Sequence, residues 1–273
     1  MLLAIDIGNT NIVIGVFDSG TIAESWRLAT RPDRTADEVG ILLTHLFAHR
    51  QVPIPEVHGI VIASVVPALT GTMIDMAERY FHRTPLVIES GQDETGMPVL
   101  YEHPSEIGAD RIVNAVAAYD LYRSETARPI IVVDFGTATT FDAVSARGEY
   151  LGGIICPGVQ ISADALFERA ARLPRVDVRK PASLIGRTTV EAMQSGLFFG
   201  YVAMVEGIVV RMRRRLTDDA RDGRVVCVAT GGLAHVISPE TDVIDAVDVD
   251  LTLHGLRRVW DRANVRAAVQ PGV

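Results

Sequence analysis

The chain has 273 residues, of which 48% are hydrophobic and 22% charged, an ordinary globular composition that excludes disorder as the main state. That length suits one large domain or two small ones, at roughly 100–200 residues each. With 26 basic against 34 acidic side chains the formal charge is −8, which argues against a nucleic-acid surface; an anionic ligand would have to be held by local geometry rather than by net charge.

From the N-terminus, residues 2–7, 12–17 and 21–28 read as three strands of an antiparallel meander. The start carries no basic stretch, and its apolar run is cut at Asp6, which fits a strand rather than a signal peptide. Thr35-Ala-Asp-Glu38 is a capping box that opens a helix to about residue 49, with Val39, Leu42, Leu43 and Leu46 on its apolar side. His45 and His49 are spaced i, i+4 on that helix, without a third residue at metal-ligand spacing. A buried strand over 59–65, a helix over 67–81, a strand over 86–89 and a helix over 105–122 follow. Gly108 falls inside this last predicted helix, where a glycine costs about 1 kcal/mol relative to alanine.

A polar break at 124–129 separates this half from a second meander over 130–155. Helices are expected near 162–171 and over 188–216, the latter opened by a second capping box, Thr188-Thr-Val-Glu191. The apolar stretch 195–210 is shorter than the roughly 20 residues that span a bilayer and contains Glu206, so it reads as a core helix. Arg211, Arg213, Arg214 and Arg215 suit the end of that helix by complementing its dipole. A strand over 225–229 meets Gly231-Gly232, and another helix is expected beyond. Cys156 and Cys227 are too few and too distant for a disulfide framework or a zinc motif; both read as small buried side chains. These features together indicate a cytoplasmic protein.

The two halves echo each other. Residues 5–18, IDIGNTNIVIGVFD, and 133–146, VDFGTATTFDAVSA, each run from an apolar strand through Asp, one residue, Gly and a Thr-bearing turn into a second β-rich run. This points to a duplicated α/β unit, with domains 1–124 and 125–273 and a ligand cleft between them. In the first turn Gly8 lets a phosphate approach the backbone, Asn9 and Thr10 offer donors, and Asp6 could hold Mg²⁺ through a water; an ordinary Gly-Asn hairpin fits the same residues. Asp134, Gly136, Thr137, Thr139 and Thr140 repeat the chemistry. Gly152-Gly153 with Pro157-Gly158 reads as a shaped loop over a cleft or as a tight strand exit. Asp110 and Arg111 touch either different parts of a ligand or each other.

As an ordered set, IDIGNTN, GADR at 108–111, DFGTATTFD at 134–142, GGIICPG at 152–158 and GRTTVEAMQSG at 186–196 resemble type III pantothenate kinase from Met1 to about Arg257. The resemblance implies two ribonuclease H-like domains of the superfamily of sugar kinases, actin and chaperone ATPases. It implies ATP with Mg²⁺ on the first phosphate loop, Asp6, Ile7, Gly8, Asn9, Thr10, Asn11, Ile12 and Val13, and at Thr137. It implies pantothenate at Tyr101, Gly108, Ala109, Asp110, Arg111 and Thr189, Asp110 as general base, and a monovalent cation, K⁺ or NH₄⁺, at Asp134. A homodimer, in which Thr189 reaches the partner's site, is also implied. A sugar kinase of the same superfamily and an ATP-binding accessory or regulatory protein are the alternatives.

Overall fold

The computed structural model describes residues 1–88, 95–125, 127–220 and 222–269. Residue 89 of the expected strand and Thr126 of the expected linker lie outside them. The chain forms two compact units, Met1–Ala117 with Leu251–Val273, and Ala118–Asp250.

In the first unit β1 (Leu2–Ile7), β2 (Asn11–Asp18) and β3 (Thr21–Ala29) form the antiparallel meander. Then α1 (Ala36–His49) leads to β4 (Gly59–Ser64), and α2 (Pro67–Phe81) to β5 (Leu86–Ile88), both strands parallel to β1. The sheet order is β3-β2-β1-β4-β5. Leu3, Ile5, Ile7, Ile12 and Ile14 bury one face against Val39, Leu43 and Phe47 of α1 and Leu69, Met73 and Met76 of α2. The capping box at Thr35 forms as read: its hydroxyl accepts from the Glu38 amide at 3.2 Å, and the Glu38 carboxylate accepts from the Thr35 amide at 2.8 Å. The Thr35 amide, and the Thr35 hydroxyl that also donates to the same carboxylate at 3.1 Å, hold the Glu38 carboxyl below its ordinary value.

The second unit repeats this plan. Its strands β6 (Ile130–Phe135), β7 (Ala138–Val144) and β8 (Tyr150–Pro157) form a meander, β9 (Val226–Gly231) runs parallel to β6, and β10 (Ala246–Val247) parallel to β9. Its order β10-β9-β6-β7-β8 mirrors the first sheet strand for strand. Asp6 and Asp134 are each the fifth residue of a six-residue strand with the same burial pattern. Ile131, Val133 and Phe141 pack against the long helix Thr189–Leu216, with Val205 and Val209 in the same core. By length and apolar content that helix could cross a membrane, yet half of its most apolar stretch is buried. The Thr188–Glu191 capping box forms as read. Arg211 donates to the Gly207 carbonyl at 2.6 Å, while Arg213 bonds Asp245 at 2.7 Å and the Val243 carbonyl at 3.0 Å. Arg213 therefore ties the helix end to the loop before β10.

Three sequence expectations change. The unit boundary falls at Ala117/Ala118 rather than at 124/125, inside α3 (Ala109–Tyr122), and the chain's last helix groups with the first unit. That helix, Leu251–Val269, packs on β1, β2 and β4, and Leu253 reaches the position of a Gly15 side chain; it covers the sheet face opposite the α1–α2 core. Second, the helix predicted from residue 105 begins at Ala109, preceded by a separate 3-10 turn, Pro104–Glu106. Third, Gly152-Gly153 lies within β8, not in a loop: Gly152 takes φ +113° beside a register shift at Ala143/Val144, the mark of a bulge.

Candidate functional site

The first turn joins β1 to β2 with Asn9 and Thr10 at its exposed tip. Gly8 donates its amide to the Asn11 carbonyl at 3.0 Å, and neither Asn9 nor Thr10 has positive φ. The turn is therefore not the primed type that favours Gly-Asn in hairpins. Gly8 serves close approach instead, since a Cβ there would stand 3.0 Å from the Asn11 oxygen. A residue the sequence reading passed over holds this turn: Thr30, just past β3, donates its amide to the Thr10 carbonyl at 3.0 Å and its hydroxyl to the Gly8 carbonyl at 2.6 Å. Ile7 and Ile12 are wholly buried in the core, so only their backbone can meet a ligand. Asp6, half-buried, sits in register with Val13 and Ala63. Its carboxylate is a hard oxygen donor near a strand's end, a type that suits contact to Mg²⁺ through water.

Gly108 is the N-cap of α3, not an interior residue. Its carbonyl accepts from the amides of Arg111 at 3.1 Å and Ile112 at 3.4 Å, so the interior glycine penalty does not apply. Asp110 lies in the first turn of the helix, where a carboxylate is favoured by the dipole, and its Oδ1 accepts from the Arg111 amide at 2.8 Å. That bond turns the carboxylate back over Gly108, whose missing Cβ would stand 2.6 Å from the same oxygen. Beside Gly108 opens a cavity of 310 Å³ lined by Ser64, Val65, Pro67, Thr70, Ser105 and Ile107 among others. Ser64 caps the entry to α2: its Oγ accepts from the Val66 amide at 3.2 Å and from Thr70 Oγ1 at 2.9 Å. The Ser64–Thr70 segment has no role in the sequence analysis. A small polar residue at the carboxyl end of a parallel strand, followed by proline at helix position N1, was the available signal. Tyr101 is exposed on the connection before the 3-10 turn.

In the second unit Gly136 and Thr137 are exposed between β6 and β7, and Gly158 at the start of the helix Val159–Arg169 packs directly on the Thr137 carbonyl. Asp134 has Thr140 in register on β7 and Thr230 on β9, so three oxygen-bearing side chains share one face. An all-oxygen set suits a hard cation and not a thiolate- or imidazole-seeking metal. Behind it, Thr140 donates to the buried Asp142 carboxylate at 3.3 Å, and the fully buried Tyr150 hydroxyl donates to its other oxygen at 2.6 Å. Gly231 takes φ +89° where a Cβ would stand 2.5 Å from Asp134 Oδ1. Thr189 is exposed in the first turn of its helix. Cys227 is buried in β9, and burial pushes its thiol up to about 12; Cys156 is half-buried. Within the described residues no group of three or more His, Cys, Asp or Glu side chains is arranged for a metal.

Comparison with known proteins adds to this geometry. Residues 2–211 match the family model described as type III pantothenate kinase. A type III pantothenate kinase of Moorella thermoacetica is 51% identical over 262 residues, 96% of this chain and 99% of that one. Among solved structures, a Campylobacter jejuni protein described as a candidate Baf family transcriptional activator aligns over 96% of this chain and 99% of its own, with TM-score 0.58 at 18% identity. A candidate N-acetylmannosamine kinase of Listeria monocytogenes aligns over the same shares with TM-score 0.53 at 12% identity. At those identities the structures speak for the fold alone, and it is the two-domain ribonuclease H-like fold that sugar kinases use.

Proposed function

We propose, from the premise that the chain belongs to the type III pantothenate kinase family, that it catalyses ATP + pantothenate → ADP + 4′-phosphopantothenate, the entry step to coenzyme A. The observation that carries the reading is the Asp110 carboxylate, fixed by the Arg111 amide at a helix N-terminus and beside a cavity of mixed polar and apolar lining. Pantothenate has that mixed character: two hydroxyls, an amide and a carboxylate around a gem-dimethyl carbon.

Phosphoryl transfer passes through a loose transition state, so positioning and charge stabilisation dominate. Asp110 orients the primary hydroxyl in line with the γ-phosphate and accepts its proton late, as the new P–O bond forms and ADP leaves. Gly108, Ala109, Arg111 and Tyr101 bind pantothenate, Thr189 reaches in from a second copy of the chain, and Arg111 supplies positive charge. The turn from Asp6 to Val13 and Thr137 bind ATP. Asp6 would hold Mg²⁺ through water, and the ion would supply neutralising charge to the phosphoryl oxygens. Asp134, with the Thr140 and Thr230 hydroxyls, would hold K⁺ or NH₄⁺.

The enzyme works in the cytoplasm as a homodimer. In support of the dimer, a groove of 620 Å³ lies between β8 and the end of the Thr189–Leu216 helix, lined by Leu151, Ile154, Met212 and Leu216 among others, and Ile154 and Ile155 are 40% and 65% exposed. Apolar side chains on an edge strand suit cover by a second copy. The test of the reaction is a coupled ADP assay with pantothenate and a panel of sugars: turnover with pantothenate alone supports it, and turnover with a sugar but not pantothenate overturns it.

A further inference from the structure

We propose that Thr30 is a positioning residue of the ATP-binding turn, acting by turning two of its carbonyl groups away from the triphosphate. The inference rests on the reading that the turn from Asp6 to Val13 binds ATP.

Thr30 lies 20 residues beyond Thr10 in the chain, just past the end of β3. Through its amide and its hydroxyl it captures both the Thr10 and the Gly8 carbonyls, at 3.0 and 2.6 Å. A trans peptide unit is planar, with its C=O and N–H pointing in opposite directions. Fixing the Gly8 oxygen on Thr30 therefore aims the Asn9 N–H the other way, and fixing the Thr10 oxygen does the same for the Asn11 N–H. Without the hydroxyl, the Gly8–Asn9 peptide could rotate, putting a carbonyl dipole where an anion needs donors. Successive N–H groups held to one side make an anion-binding concavity, and this is how a chain of net charge −8 can hold a triphosphate at a turn with no basic side chain between Asp6 and Val13. The amide half of the anchor extends the β2–β3 pairing, which any residue but proline could do; the hydroxyl half reaches past β2 to the β1 end of the turn, which requires Ser or Thr.

The experiment compares wild type, Thr30→Val and Thr30→Ser. Valine keeps the shape and the backbone bond to Thr10 and removes only the hydroxyl. The net worth of one hydrogen bond corresponds to about a two- to tenfold change, so in Thr30→Val the KM for ATP rises by about that factor while the KM for pantothenate stays within twofold. Thr30→Ser restores the ATP value. Thermal unfolding checks that each variant is folded, and Thr30→Ala replaces Thr30→Val if valine does not fold. An unchanged KM for ATP, equal loss for both substrates, or a serine variant as impaired as valine each overturns the proposal. Amide NMR with a non-hydrolysable ATP analogue separates it from the reading beneath. If the Asn9 amide of the wild type does not shift, the ATP-binding turn and with it the role of Thr30 fall. If it shifts and Thr30→Val binds the analogue equally well, only the role of Thr30 falls.

Discussion

Asp110 occupies the space that a side chain at residue 108 would fill: an ideal Cβ on Gly108 would stand 2.6 Å from Asp110 Oδ1. Glycine at this N-cap is thus a requirement of the carboxylate's position rather than of the backbone, whose φ is not positive. Gly108→Ala is expected to push Asp110 off its bond to the Arg111 amide. A displacement near 1 Å costs about 10²-fold in rate, so kcat should fall by about 10- to 100-fold, with at most about 1 kcal/mol lost in stability. Steady-state kinetics beside a thermal melt check this; wild-type kcat in a folded variant contradicts it.

Asp110→Asn keeps the shape of the side chain and removes its ability to accept the hydroxyl proton. General-base removal typically costs about 10²–10⁴-fold, and kcat should drop within that range while KM for pantothenate changes much less. Near-wild-type turnover takes Asp110 out of the base role.

The oxygen-lined face around Asp134 leads to a prediction about salt. Activity of the wild type should depend on K⁺ or NH₄⁺, and Asp134→Ala should be impaired and respond to neither. Gly231→Ala, which drives a methyl into Asp134 Oδ1 and strains a residue at φ +89°, should weaken the same response and cost about 1–3 kcal/mol in stability. Titrating each cation against activity, and against thermal midpoint without substrate, checks both. Equal wild-type activity in sodium alone removes the cation site.

Burial raises the Cys227 thiol from an ordinary value near 9 to about 12. In the unfolded chain the thiol loses its proton as pH rises through the lower value, while the folded chain keeps it until the higher. The unfolded state therefore binds fewer protons in this window, and stability must fall as pH rises between them. The thermal midpoint should decline from pH 9 upward, and less steeply in Cys227→Ala than in wild type. Parallel slopes would remove Cys227 from the alkaline limb.

Much of this was legible in local patterns. The repeated Asp-x-Gly turn disclosed two units of the same design because strand-to-turn chemistry is short-range, and both capping boxes formed as spelled. What escaped was set by contacts distant in sequence. The C-terminal helix covers β1 and β2 through residues such as Leu253, more than 200 positions beyond them, so no local signal assigns it to the first unit. Gly108 read as a helix interior because Pro104-Ser-Glu is itself helical, in the tighter 3-10 form. Thr30 follows an unremarkable strand and carries no local signal; only the structure brings its hydroxyl to Gly8. Gly152-Gly153 suggested a loop because a bulged edge strand needs the same glycines as a turn.

The product formed from pantothenate is the most direct test of the proposed reaction. Purified protein incubated with MgATP and pantothenate, in parallel potassium, ammonium and sodium buffers, should yield ADP and 4′-phosphopantothenate in equal amounts by mass spectrometry, with Asp110→Asn nearly inactive. ADP release without phosphopantothenate, or no reaction in any of the three buffers from a folded, ATP-binding protein, contradicts it.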